Sequence, residues 1–145
     1  MNLIDSLKEN NSVVLKQEVK TWEEAIEVCM KPLLNNGSIK REYIDSIISR
    51  TNELGPFYIL APGLAMPHER PEKGVNKDSF SFVTLKESVK FPDGQEVDIL
   101  IGLAATSTDI HNGEAIPQIV SIFDDEDAFE KIRERGGLGI FAHPY

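Results

Sequence analysis

The sequence predicts a single α/β domain of three layers, in which helices flank a mixed central sheet on both faces. Three observations lead to this prediction. Helical and strand patterns alternate along the chain, and residues 98–105 are apolar throughout after the opening Asp98, as in a strand that is covered on both faces. No linker long enough to separate two units interrupts the 145 residues, so we expect one domain over residues 1–145.

The first half of the chain contains a strand and three helices. Leu3, Ile4 and Leu7 have helical spacing, and residues 12–19 have the composition of a short strand. Thr21 and Glu24 form a capping box that opens the second helix, in which Pro32 should cause a kink or an early end.

A third helix is expected after the stop at Asn35-Asn36-Gly37, with Ser38 as its N-cap. Tyr43, Ile44, Ile47 and Ile48 share one face of this helix, and Leu54-Gly55-Pro56 closes it.

The second half supplies the centre of the sheet and the last helices. We predict a buried strand over residues 57–61, an irregular segment over 62–78, and strands over 79–85 and 98–105. Pro92-Asp93-Gly94 provides a turn between the last two strands. Helices are expected over residues 111–123 and 124–135, where Gly136-Gly137 ends the second.

Composition narrows the class of protein. Apolar residues make up 41% and charged residues 27%, as in a globular protein, and no apolar run approaches the ~20 residues of a membrane helix. The N-terminus lacks the pattern of a signal peptide, and Cys29 has no second cysteine for an internal disulfide. We therefore expect a cytoplasmic protein without direct membrane insertion. The net charge of −9 disfavours nucleic acid as a partner but permits steering toward a basic protein surface.

The most unusual segment, residues 61–72, presents His68 in a stiff loop. Pro62, Pro67 and Pro71 each fix one backbone angle there. A neutral imidazole is a nucleophile at neutral pH, and attack on phosphorus also needs donors for the charge on the phosphoryl oxygens. From these residues alone, a phosphoryl acceptor and a histidine that merely packs the loop are equally good interpretations of His68.

Two further residues are candidates for assisting His68. His111 is predicted to open a helix, where the macrodipole disfavours its cationic form, although an ordinary surface position explains it equally well. Arg50 lies near the end of the third helix and could bind an anion, but complementing the helix C-terminus is the better explanation from sequence.

The segment Ala-Pro-Gly-Leu-Ala-Met-Pro-His-Glu-Arg-Pro-Glu at residues 61–72 resembles the active-site segment of enzyme IIA of the bacterial phosphoenolpyruvate-dependent sugar phosphotransferase system. The likeness is to the mannitol/fructose type (type 2), most of all to its ascorbate-specific branch. The order of predicted elements extends the resemblance over essentially the whole chain.

This resemblance implies a phosphotransferase that works as a phosphocarrier. His68 would be the phosphoryl acceptor, His111 would stabilise the phosphoryl group and Arg50 would support the site. The phosphocarrier protein HPr would be the donor, a cysteine of a IIB protein the acceptor, and a membrane IIC protein an indirect partner. Because the donor is already an activated phosphoramidate, no metal or other cofactor is expected.

Two departures from the family pattern affect the site. Thr51 stands where many relatives carry Glu, which puts the support of the site in question. Glu69 replaces a small residue, and its carboxylate should repel a phosphoryl group unless it pairs with Arg70 or points away. Leu64 and Met66 flank His68, and we expect an exposed Met66 to take part in docking.

Two other classes of function are alternatives to a phosphocarrier. One is a regulatory IIA-like module that binds a target protein according to its phosphorylation state. The other is a metal-dependent hydrolase that uses His68, His111 and His143, which no metal-ligand spacing in the sequence supports.

Overall fold

The computed structural model describes residues 2–123. Its elements are α1 (Leu3–Glu9), β1 (Val13–Gln17), α2 (Trp22–Asn35), α3 (Arg41–Leu54), β2 (Ile59–Ala61), β3 (Gly63–Ala65), β4 (Ser79–Lys90), β5 (Glu96–Ala104), α4 (Thr108–Ile110) and α5 (Ile116–Phe123). A 3₁₀ turn at Pro71–Lys73 precedes β4, and a π-helical turn at His111–Ala115 joins α4 to α5. The helix predicted over residues 124–135, Gly136-Gly137 and His143 lie outside the described residues.

The described strands form one mixed sheet in the order β1-β4-β5-β3-β2. β1 is parallel to β4 and β3 is parallel to β5, whereas β4 and β5, like β2 and β3, are antiparallel. Because this order puts β3 beside β5, the loop that follows β3 emerges next to the end of β5.

Alternate residues of β4 belong to two separate apolar cores, since successive side chains of a strand point to opposite faces. Phe80 and Phe82 pack with residues of α1 and α5, and Val83 and Leu85 pack with residues of α2 and α3. Helices therefore cover both faces of the mixed sheet, which confirms the predicted fold class. In residues 2–123 no helix has the length and apolar character that crossing a bilayer would require.

The N-cap of α2 at Thr21 is confirmed, whereas the second bond of the capping box differs, because Glu24 binds the N–H of the residue before the N-cap. Thr21 Oγ1 accepts a hydrogen bond from the Glu24 backbone N–H at 3.2 Å, and the Glu24 carboxylate accepts one from the Lys20 N–H at 3.1 Å. Of the two effects predicted for Pro32, a kink or an early end, the early end does not occur, because α2 continues to Asn35. Losing one helical hydrogen bond at a proline costs about 3 kcal/mol, and continuing the helix buries Leu33 completely.

Ser38 does not cap α3. Lys40 occupies the N-cap position and makes no side-chain capping bond. The Ser38 hydroxyl donates to Asn36 Oδ1 at 2.5 Å, and the Ser38 carbonyl accepts from the Asn76 backbone N–H at 2.8 Å. The serine side chain is thus used to shape the loop, so it is not available to the helix. The predicted end of α3 is confirmed, with Gly55 as its C-cap at a φ of 85°.

The segment around β2 and β3 differs from the prediction. The buried strand expected over residues 57–61 is a three-residue edge strand, and Phe57 and Leu60 are 44% and 45% exposed. β3 lies inside the segment that was predicted to be irregular. Strands of three residues are too short to show a hydrophobic period, which explains why sequence patterns missed this pair. β4 also extends to Lys90, five residues beyond its predicted end.

Met66 is a core residue, so the prediction that it is exposed for docking is wrong. Its side chain is fully buried with Leu64, Phe80 and Phe82 on the face covered by α1 and α5. The proline that follows and the hydrogen bond from the Met66 N–H to the Tyr58 carbonyl at 2.9 Å hold the residue against the sheet. A docking surface around His68 must therefore be formed by other, exposed residues.

We predict that Met66→Ala lowers the free energy of unfolding by about 2–5 kcal/mol, because it leaves a cavity in the core. Denaturant unfolding measures this loss, and Leu54→Ala is the matched control, since Leu54 is 63% exposed. The control should change stability by about 0.5 kcal/mol or less. Equal stability of the two variants would contradict the burial of Met66.

Candidate active site

His68 lies in the loop after β3, and main-chain hydrogen bonds attach this loop to the sheet. The Pro67 carbonyl accepts from the Leu103 N–H at 3.1 Å near the end of β5. The Tyr43 hydroxyl on α3 donates to the Leu103 carbonyl at 2.7 Å and accepts from the Glu69 N–H at 2.9 Å. The residues on either side of His68 are therefore bonded to fixed points of the sheet and of α3.

The loop forms one wall of a cavity of about 260 Å³. The three site residues predicted from sequence, His68, Arg50 and His111, all line it. The complete lining is Arg50, Phe57, His68, Glu69, Arg70, Pro71, Ala105, Thr108 and His111. Two guanidinium groups and two imidazoles around a space of this size suit a small anion.

The His68 ring has a defined tautomer. Its Nδ1 lies 2.8 Å from the Met66 carbonyl oxygen. A carbonyl oxygen only accepts hydrogen bonds, so Nδ1 carries the proton, and in the neutral ring Nε2 bears the free electron pair. Nε2 is thus the nucleophilic atom of the half-buried imidazole.

Burial keeps His68 neutral. It lowers the pKa of His68, and the neighbouring His111 and Arg50 lower the pKa further, although the Met66 carbonyl and Glu69 act in the opposite direction. Burial also lowers the pKa of His111. Both rings are therefore neutral at neutral pH, the state that nucleophilic attack requires.

His111 lies beside His68, with ring centroids 4.6 Å apart and an angle of 42° between the planes. The prediction that His111 opens its helix is wrong by one turn. The Ser107 hydroxyl caps α4 by accepting from the Ile110 N–H at 3.2 Å, and His111 begins the π-helical turn that follows. Such turns often occur at functional sites, and this one places the second imidazole against the first.

Arg50 reaches the cavity from the last turns of α3. Its Nη1 donates to a carboxylate oxygen of Glu69, and its guanidinium carbon lies 5.0 Å from the centre of the Phe57 ring. The Phe57 ring in turn meets the His68 ring edge-on, at 5.5 Å between centroids. Arg50 is therefore held from two sides next to the candidate nucleophile.

The two departures from the family pattern have structural explanations. The Glu69 side chain has no exposed surface and pairs with Arg50, whereas pairing with Arg70 was one of the two arrangements that the sequence allowed. The carboxylate does accept a hydrogen bond from the Arg70 backbone N–H at 2.8 Å. Thr51 is buried, and its hydroxyl donates to the Ile47 carbonyl and lies 2.7 Å from the Tyr58 hydroxyl. It therefore links α3 to the residue that precedes β2.

Sequence analysis missed the contributions of Tyr43 and Phe57. From sequence, Tyr43 belongs to the apolar face of α3, and its ring is fully buried there. A buried tyrosine hydroxyl usually has a hydrogen-bond partner, so a tyrosine on an apolar face was the signal that could have indicated its role. Phe57 was assigned to a buried strand, and nothing in its local sequence indicates contact with His68. Among residues 2–123, no group of three or more His, Cys, Asp or Glu side chains could hold a metal ion.

Comparison with known proteins agrees with this geometry. Residues 6–137 match the family model described as phosphoenolpyruvate-dependent sugar phosphotransferase system, EIIA 2. The ascorbate-specific PTS system EIIA component of Salmonella choleraesuis is 44% identical over 135 residues, which are 92% of this chain and 88% of that protein.

Two solved structures from Escherichia coli resemble the chain. The solution structure of the mannitol-specific cryptic phosphotransferase enzyme IIA CmtB is 40% identical with a TM-score of 0.80, covering 90% of this chain and 88% of that one. Enzyme IIA-MTL in complex with phosphorylated enzyme IIB-MTL is 27% identical with a TM-score of 0.70, covering 83% and 84%. The chain belongs to the EIIA type 2 family of the phosphoenolpyruvate-dependent sugar phosphotransferase system.

Proposed function

We propose that this chain is a cytoplasmic phosphocarrier, a single domain over residues 1–145, that accepts a phosphoryl group from phospho-HPr on Nε2 of His68. It passes the group to a cysteine of a IIB protein, which serves carbohydrate uptake through a membrane IIC protein. The observation that carries the proposal is the neutral His68 ring, whose Nδ1–H is bound to the Met66 carbonyl so that Nε2 is left free beside Arg50 and His111.

Transfer of the phosphoryl group to His68 needs no external base. The Nε2 electron pair of His68 forms a bond to phosphorus while the P–N bond of the donor phosphohistidine breaks, and its electron pair returns to the donor ring. His68 keeps its Nδ1 proton, so its ring becomes positively charged. The Met66 carbonyl, 2.8 Å from Nδ1, stabilises that charge.

Release uses the same atoms in reverse. A thiolate of the IIB protein attacks phosphorus, the Nε2–P bond breaks and the electron pair returns to Nε2, which regenerates neutral His68. Throughout both steps, Arg50 and an N–H of His111, which line the same cavity as His68, can donate to the phosphoryl oxygens.

The relatives support the choice of partners and of carbohydrate. The mannitol IIA of known structure is described in a complex with phosphorylated IIB, which supports a IIB protein as acceptor. The 44% identity with an ascorbate-specific component supports ascorbate as the carbohydrate. Docking would use Phe57 rather than Met66, since the Phe57 ring is 44% exposed and contacts His68.

We predict that His68→Ala abolishes the gain of one phosphoryl group when phospho-HPr is supplied, because the variant lacks the nucleophile. Intact mass spectrometry measures the gain, and loss of the group in acid identifies a phosphohistidine. His111→Ala is the matched control and should still be modified. Modification of His68→Ala at the wild-type rate would show that another residue is the acceptor.

We predict that His111→Ala slows single-turnover transfer, since a donor aimed at developing charge is worth about 2.7–4 kcal/mol in the transition state. Rapid-quench measurement with phospho-HPr gives the rate. His111→Gln keeps an N–H donor and should recover part of it, while thermal unfolding shows that both variants are folded. Equal rates for wild type and His111→Ala in both directions of transfer would remove His111 from the mechanism.

A further inference from the structure

Glu69 is a buried carboxylate whose charge the proposed reaction does not use. Its side chain has no exposed surface, and an unpaired charge in such a place is costly. Three donors surround it. Oε2 accepts from the Ser46 hydroxyl at 2.7 Å, and Oε1 accepts from the Arg70 N–H at 2.8 Å and from Arg50 Nη1.

These donors keep Glu69 ionised. Burial alone would raise the pKa of the carboxyl group, but the hydrogen bonds from the Arg70 N–H, the Ser46 hydroxyl and Arg50 outweigh it, so the pKa lies below its ordinary value. The carboxylate is therefore negative at neutral pH and forms a true ion pair with Arg50.

The pairing fixes one edge of the Arg50 guanidinium and leaves the rest free. An arginine has five N–H donors, and the contact with Glu69 engages Nη1. The Phe57 ring, 5.0 Å away, restrains the guanidinium plane from a second direction. The side chain is 29% exposed and lines the cavity with His68, so donors remain for an anion there.

We propose that Glu69 is a positioning residue, which anchors the Arg50 guanidinium beside His68 before the phosphoryl group arrives. The inference rests on the proposed function. An anchored donor needs no reorganisation when charge develops in the transition state, and this is the condition under which such donors accelerate transfer. The carboxylate has no exposed surface of its own, so it acts through Arg50.

A purely structural role predicts a different result. The Glu69 backbone already attaches the loop to Tyr43, and the carboxylate could simply add a bond between the loop and Ser46 of α3. In that case, loss of the charge would destabilise the loop by the same amount whether or not Arg50 is present. A double-mutant cycle separates the two roles.

The experiment compares single-turnover transfer from phospho-HPr in wild type, Glu69→Gln, Arg50→Ala and the double variant. We expect Glu69→Gln to be about tenfold slower, equivalent to about 1.4 kcal/mol, with KM changed by about twofold or less. In the Arg50→Ala background the same substitution should have no further effect. Glu72→Gln is the charge-matched control, because Glu72 is exposed three residues downstream, and it should transfer at the wild-type rate.

Equal slowing in both backgrounds, or a Glu69→Gln rate that matches the Glu72→Gln control, would overturn the proposal. If Glu69→Gln fails to fold, Ser46→Ala replaces it in the cycle, since it frees Oε2 and leaves Arg50 intact. It should then slow transfer by a smaller factor, and only where Arg50 is present.

A measurement that does not depend on phosphoryl transfer can test the anchoring of Arg50 independently of the proposed function. Nuclear magnetic resonance of the Arg50 guanidinium should show hindered rotation of its N–H₂ groups in wild type and free rotation in Glu69→Gln. Free rotation in both proteins would overturn the anchoring. Hindered rotation in a wild-type protein that phospho-HPr does not modify would instead leave the anchoring intact and refute the phosphocarrier function.

Discussion

The hydroxyl of Tyr43 is the contact on which the arrangement of the site depends. It donates to the Leu103 carbonyl at the end of β5 and accepts from the Glu69 N–H in the loop, while its ring is fully buried on α3. A helix, a strand and the histidine loop thus meet at one oxygen atom. Because the bonds are buried, leaving either partner unsatisfied costs about 1–3 kcal/mol, so the loop has a single well-defined position.

That position determines the chemistry of His68. The residue before Pro67 is the buried Met66, whose side chain packs into the core. Its carbonyl is therefore fixed where it accepts a hydrogen bond from the Nδ1–H of His68. The burial of the Met66 side chain thus stabilises the loop and also determines the tautomer of the His68 ring. His68 lines one cavity with His111 and Arg50, which are the donors in the proposed reaction.

Caps and hydrophobic periods, which are local properties, predicted the fold class. The family resemblance of residues 61–72 indicated His68, Arg50 and His111, and the structure brings these three residues to one cavity. Sequence patterns did not predict features that depend on contacts between residues far apart in sequence. The exposure of Met66 could not be judged from its neighbours in sequence, since its burial depends on Phe80 and other residues of the sheet. The pairing of Glu69 with Arg50 was likewise not foreseen, because Arg50 lies on α3, far from Glu69 in sequence.

The central claim is that the Met66 carbonyl selects Nε2 of His68 as the atom that carries the phosphoryl group. Nitrogen-resolved nuclear magnetic resonance of the isotopically labelled protein, before and after reaction with phospho-HPr, tests it most directly. We expect a proton on Nδ1 of His68 in the free protein and phosphorus–nitrogen coupling to Nε2 in the modified one. A proton on Nε2 of the free ring, or coupling to Nδ1 or to His111, would contradict it.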